Sequence, residues 1–224
     1  MVFKKKLMLG LKDMRKKEKI KRYNYKPTNI KSLLEELWEN SEYVVDMAYS
    51  SLIFGTNHFS SEVMNTVEYI NNNLYSLRET ALLAARNVED AESLTGVLNV
   101  ASSMEKIVHA AKDISRLSME FSGRTTILPG VLKEADEVIE TVKVLPESGM
   151  CGKSIGELKI ESRTGIRVIA IRRKRKWIFN ANENHNIIPY DLLLIRGFDE
   201  SIENFRAYAS GESAWELSGG DESE

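Results

Sequence analysis

Three groups of residues in this chain have types and spacings that can do chemistry. The first is the stretch "PESGMCGKS", Pro146 to Ser154, whose Gly152-Lys153-Ser154 ending matches that of a phosphate-binding loop. Such a loop needs G-x-x-x-x-G-K-[ST], because the first glycine lets backbone N–H groups wrap the phosphates while the lysine reaches the outer ones. Glu147 stands at that first position. It adds a side chain and a negative charge where glycine geometry and phosphate are required. Gly156 also weakens the helix that should follow. The motif therefore predicts a turn and not a nucleotide-hydrolysing loop. The second group is Glu105, His109 and Asp113, at i, i+4 and i+8 of one helix, a carboxylate–imidazole–carboxylate set that can hold a divalent metal ion. The same spacing arises on the solvated face of any charged amphipathic helix, and Glu42 and Asp46 repeat it. The third is Arg172 to Lys176, five successive positive charges around a hairpin turn. Arg172 and Arg173, helped by Gly152 and Lys153, can receive an anionic ligand such as a nucleotide, since guanidinium groups grip phosphate in bidentate fashion. The other reading is an exposed turn whose charges discourage edge-to-edge strand pairing. No catalytic set accompanies these groups. His58, His109 and His185 lie in separate segments, Cys151 has only Lys153 as a nearby basic residue, and no nucleophile-elbow motif occurs. The chain is expected not to be an enzyme.

The elements that position these residues follow from composition and period. A chain of 224 residues, 42% hydrophobic and 29% charged, suffices for two small globular domains. Cys151 is the single cysteine, which fits a reducing compartment. No apolar run approaches the roughly 18 to 20 residues of a membrane helix, and the start "MVFKKKLMLGLKDMRKK" lacks a cleavage site. The expected location is cytoplasmic, peripheral to the membrane where the basic arm touches it. The net charge of −2 is unevenly spread: Met1 to Lys26 holds eleven Lys/Arg against Asp13 and Glu18, and the last fourteen residues hold five acids and no base. Solvated tail, anionic-membrane anchor and nucleic-acid arm all fit the basic end, with nucleic acid the least expected.

From Ile30 to Phe121 the apolar residues recur at helical spacing. Ile30, Leu33, Leu37, Val44, Ala48 and Leu52 mark a first long helix, capped by Thr28-Asn29. Val63, Val67, Ile70, Leu74, Leu77 and Ala81 mark a second, opened by Ser60 and Ser61. Leu94, Val97, Ala101, Met104, Val108 and Ala111 mark a third. Short connections make the three antiparallel. After Pro129-Gly130 the period changes: a linking helix at "LPGVLKEADEV", a strand in "VIETVKVLPES", a short helix from Gly152 to Leu158, a hairpin from Ile166 through Phe179, a strand from Leu192 to Ile195, a break at Gly197 and a last helix capped by Asp199 or Ser201. The fold class is α+β multidomain, with an antiparallel three-helix bundle followed by a small β-α-β-β-β-α domain. The divisions are a basic arm at 1–28, the bundle at 29–127, a linker helix and strand start at 128–141, the α+β domain at 142–210 and an acidic tail at 211–224, disordered except for the apolar Trp215 and Leu217.

Two resemblances build on these residues. The three helices with "ASSMEKIVHAAKDIS" resemble one repeat of the PhoU family, whose bundles carry an E-x-x-x-D metal motif within a segment similar to "ERIGDHA"; Glu105 matches its glutamate and His109 stands at its aspartate. One repeat is half of a PhoU protein, which implies a homodimer. "SGMCGKSIGEL", "RTGIRVIAIRR", "WIFN" and "YDLLLIRG" resemble, in order, the TrkA-C domain of regulators of potassium conductance. Tyr190 stands where that family has glycine before Asp191, and Ala181 where proline follows Asn180. The resemblance implies that Gly-Lys-Ser is a structural turn and that the domain senses a small ligand. The usual Rossmann companion is missing, since no G-x-G-x-x-G opens a βαβ unit, so no NAD is expected. Together these imply a regulatory or accessory subunit of cation transport, a homodimer acting on a membrane transporter or channel. The alternatives are a PhoU-like metal-binding signalling protein without a channel partner and a nucleic-acid-binding regulator working through the arm.

Overall fold

The computed structural model describes residues 29–121 and 135–215. The basic arm, most of the linker helix and the last part of the acidic tail lie outside the described residues. Three long helices come first: α1 Ile30–Phe54, α2 Asn57–Ala84 and α3 Val88–Phe121. Asn29 caps α1 by accepting the Lys31 N–H at 2.8 Å. Gly55, with φ +58°, ends α1, and its N–H returns to Ser51 O. That left-handed residue and Thr56 are the whole connection to α2, which therefore starts at Asn57, earlier than the serines at 60 and 61 suggest. Asn87 turns the chain into α3 by accepting the Asp90 N–H. Such short links leave antiparallel helices. Their apolar stripes, including Leu37, Val44, Met47, Val63, Ile70 and Val108, close into one core. Ser118 ties α3 to α1 by donating to Ser51 O at 2.5 Å. No described helix is long and apolar enough to cross a membrane.

The second part contains β1 Glu137–Lys143, α4 Ile155–Leu158, α5 Ile160–Thr164, β2 Arg167–Arg173, β3 Lys176–Phe179, β4 Leu192–Phe198 and α6 Asp199–Ser210. The sheet order is β1-β4-β2-β3, with every pair antiparallel. The short helix expected from Gly152 to Leu158 starts at Ile155 and ends at Leu158 as expected, and helix α5 has no counterpart in the sequence reading: after Lys159, at φ +49°, a second turn begins at Ile160. Strand β4 also runs through Gly197 instead of stopping before it. A Cβ there would stand 2.4 Å from Ile166 Cδ1, so glycine leaves room for the buried Ile166 side chain and does not act as a breaker. Beyond Gly211 the chain stays docked as far as Trp215, which is buried against Phe205 and Tyr208. Trp215 is one of the two apolar residues excepted from the expected disorder of the tail.

One face of the sheet packs Val138, Ile171, Leu193 and Ile195 against Phe205 of α6. The other face receives the bundle. Alternation along a strand would give the bundle only every second residue of β2, but a bulge between Val168 and Ala170 inserts Ile169, and both Ile169 and Ala170 enter the bundle's core. Phe59 of α2 completes the joint, with ring centroids 5.1 Å from Trp177 and 6.3 Å from Phe179 of β3. Removing such a buried ring leaves a cavity that costs about 3–5 kcal/mol. Phe59→Ala should therefore lower the urea-derived unfolding free energy by about that amount, with Trp177 fluorescence shifting to the red as water reaches the joint. A loss below about 1 kcal/mol, the level of a surface change, would show that bundle and sheet do not share a core.

Candidate ligand-binding site

The backbone of the Gly-Lys-Ser turn and the Ser154 side chain have structural roles. Gly152 has φ +85° and its N–H donates to Ile187 O at 2.8 Å; Lys153 O accepts the Ile187 N–H at 2.9 Å. Ser154 caps α4 by accepting the Glu157 N–H, while Glu157 accepts the Ser154 N–H. That backbone N–H, first among the causes, holds the Glu157 carboxyl below its usual range. The turn starts a short helix, as the resemblance implies, and also holds the 185–191 loop through Ile187.

Arg172 and Arg173 are neighbours on β2 and so project to opposite faces. Arg173 reaches that same loop. It donates to both oxygens of Asp191, at 3.0 and 2.8 Å, and to Asn186 O at 2.7 Å. Asp191, 1% exposed, also accepts the Ile188 N–H. Arg173 is thus the counter-ion of a buried carboxylate. Arg172 lies exposed, its guanidinium 5.9 Å from the Trp177 ring centroid. The fold brings Gly152, Lys153 and Arg173 together through the loop and leaves Arg172 apart. Glu105, His109 and Asp113 do share one helix, but Glu105 pairs with Arg78 at 2.5 Å and Asp113 with Arg116 at 3.8 Å. Among the described residues no group of three or more His, Cys, Asp or Glu side chains is placed to hold a metal ion.

The acids that matter at the joint are Glu42 and Asp46. Asp46 lies on the sheet side of α1 and is 1% exposed. Arg196 of β4 donates to its Oδ1 at 2.5 Å, and Arg167 of β2 stands 3.7 Å from its Oδ2. Arg167 also donates to Glu42 at 2.6 Å, and Arg196 lies 3.3 Å from Glu137. Burial pushes the Asp46 carboxyl above the usual range, and the two guanidinium groups pull it back. Sequence spacing alone treated Glu42 and Asp46 as a repeat of the α3 pattern. A better signal was Asp46 itself, set among Val44, Val45, Met47 and Ala48, where a charge requires a partner from elsewhere.

Beside this network lies an open groove of about 820 Å³. Its polar lining includes four acids, Glu39 and Glu42 of α1 with Glu161 and Glu183, two bases, Lys159 and Arg167, and the asparagines Asn180, Asn182 and Asn184. Amide groups both donate and accept, so the groove suits a polar ligand with ring nitrogens and a few acceptor oxygens. Its acids make it a poor place for a densely charged anion.

Removing one partner of a buried pair strands the other charge at about 3–5 kcal/mol. Arg173→Ala should lower stability in chemical denaturation by that order, and Arg172→Ala by under about 1 kcal/mol, in keeping with its exposure. Equal, small losses for both would mean that Asp191 is not held by Arg173.

Comparison with known proteins places this second part in a family. The model of the TrkA-C domain matches residues 139–210. No curated protein sequence matches the chain. Among solved structures, the RCK_C domain dimer of S. agalactiae BusR in complex with c-di-AMP is 26% identical, covering 33% of this chain and 91% of that one, at a TM-score of 0.31. The RCK C domain of the potassium transport protein KtrA in complex with cyclic diadenosine monophosphate is 30% identical, covering 36% and 93%, also at 0.31. S. agalactiae BusR in complex with its busAB promoter DNA is 16% identical at a TM-score of 0.31; it covers 62% of this chain, which spans 63% of its length. Residues 139–210 are a TrkA-C domain, carried behind a bundle of three long helices.

Proposed function

We propose that this chain is a non-catalytic regulatory subunit of cation transport, in which the TrkA-C domain takes a small nucleotide-like ligand in the groove and the bundle passes its presence to a membrane transporter or channel. The TrkA-C match supports the regulatory role. The observation that carries the mechanism is the position of Arg167, which lines the groove and donates to Glu42 of the bundle. A ligand oxygen placed near Arg167 competes with Glu42 for the same N–H, so occupancy of the groove changes how firmly α1 is held. A phosphodiester with two dispersed charges and two bases fits the amide wall better than a triphosphate does. The chain works as a pair in this reading, since a single PhoU-like repeat is half a bundle.

Calorimetry with cyclic diadenosine monophosphate, AMP, ATP and potassium chloride tests it. Saturable binding of the cyclic dinucleotide is expected, weakened about ten- to a hundredfold in Lys159→Glu, which replaces a charge-assisted contact with repulsion. Arg167→Lys keeps the charge but loses the forked geometry, and should weaken binding while retaining the fold. No binding by the wild-type protein, or binding unaffected by either change, removes the groove from the reading. Tight, salt-dependent binding to duplex DNA would redirect the basic arm to nucleic acid.

A further inference from the structure

Helix α3 carries two apolar stripes. The first, with Ala101, Met104, Val108 and Ala111, is buried against α1 and α2. The second repeats every seven residues as Val100, Ile107 and Ile114, with Ser103, Ala110 and Leu117 three residues after each. Most of it is open in the single chain: Val100 is 48%, Ile107 49% and Leu117 43% exposed, and Ser103 and Ala110 are exposed as well, while Ile114 is partly buried at the edge of the bundle core. A seven-residue repeat of alternating three and four spacings is the pattern by which one helix packs along another, and bundle packing of α3 already has its own stripe.

We propose that this second stripe is the seam on which a second copy of the chain packs, the two α3 helices running antiparallel about a twofold axis between Val108 and His109. Side-chain sizes favour this partner. In that register Ile107 faces Ala110 of the other copy and Ile114 faces its Ser103, each large residue against a small one, while Val100 faces Leu117. Charge selects it independently. Lys106 and Asp113 flank the seam on its exposed side, and the same register leaves Lys106 two residues, about 3 Å along the axis, from the level of Asp113 of the other copy, within reach of a long side chain and twice by symmetry. Among the described residues Asp113 pairs with Arg116 at the solvent-exposed surface, a contact too weak to hold it. An isologous interface must match its own surface in this way, and a different protein would have no reason to. The seam rests on the pairing proposed above but not on the ligand.

Cysteine cross-linking of the full chain, with Cys151→Ser as background, reads the register. Val100→Cys mixed with Leu117→Cys should form a covalent dimer on mild oxidation, because the two positions oppose each other. Either variant alone should not, since residue 100 lies 17 positions from its own copy along the helix, about 25 Å at 1.5 Å per residue and far beyond disulfide reach. Lys106→Asp should slow cross-linking, Asp113→Lys should do the same, and the two changes combined should restore it. Cross-linking by Val100→Cys alone indicates a parallel pair and overturns the proposal. So does an absence of cross-linking when sedimentation shows a dimer, since the copies then meet elsewhere. A wild-type monomer in sedimentation would overturn the pairing itself, yet leave ligand binding by calorimetry unaffected.

Discussion

Arg167 and Arg196 stand directly opposite one another in the ladder between β2 and β4. Like charges in facing positions of a sheet repel, and here they point at the side on which the bundle sits. Asp46 is the anion between them. On the bundle's own account the opposite problem exists, because a carboxylate buried on α1 without partners would cost several kcal/mol or stay protonated. Each half of the molecule therefore carries a charge arrangement that is unfavourable alone and satisfied by the other. Glu42 and Glu137 at the two ends bring the network to three acids against two arginines, with the excess negative charge on half-exposed side chains that water can screen.

The remaining contacts between bundle and sheet follow from that anchoring. With α1 fixed over β2 and β4, the inserted Ile169 and its neighbour Ala170 face the helices, and Phe59 meets the Trp177 and Phe179 pair on β3. The apolar contacts supply most of the attraction, since they remove large side chains from water. The ion network supplies position, because guanidinium and carboxylate tolerate little displacement from their paired geometry. The groove is a by-product of this placement: α1 passes beside the α4–α5 pair and the asparagine loop without filling the space between them.

Much of this architecture was legible in the sequence because it depends on short-range chemistry. Helical period gave the three long helices, Asn29 gave the first cap, the alternation on either side of Arg173–Arg175 gave the hairpin, and the segments from "SGMCGKSIGEL" to "YDLLLIRG" gave the resemblance to the family. What escaped depends on partners distant along the chain. Nothing near Arg173 announces Asp191, eighteen residues on, and an arginine counter-ion has the same local signature as a phosphate-binding arginine. Asp46 and Arg196 are 150 residues apart. Their pairing needs the register of two strands and the direction of one helix to be known together. The break foreseen at Gly197 failed for a related reason, since the residue it accommodates, Ile166, belongs to another part of the sheet.

The use of charge at the joint bears on what the joint can do. An apolar contact offers a small polar ligand nothing to compete for, whereas Arg167 holds Glu42 through a charge-assisted hydrogen bond whose net worth is about 1.5–3 kcal/mol when shielded. Glu42 is partly open to water, so the value here belongs at or below the lower end of that range. Coupling between distant sites in regulatory proteins typically amounts to about 1–3 kcal/mol. Exchange of one partner on Arg167 is thus of a size that shifts an equilibrium between a tighter and a looser bundle. It is too small to separate the two halves, because Arg196 still holds Asp46 and the Phe59 contacts remain in place. In the proposed reading such an exchange gives a graded response, biasing the bundle's position on the sheet while preserving its attachment.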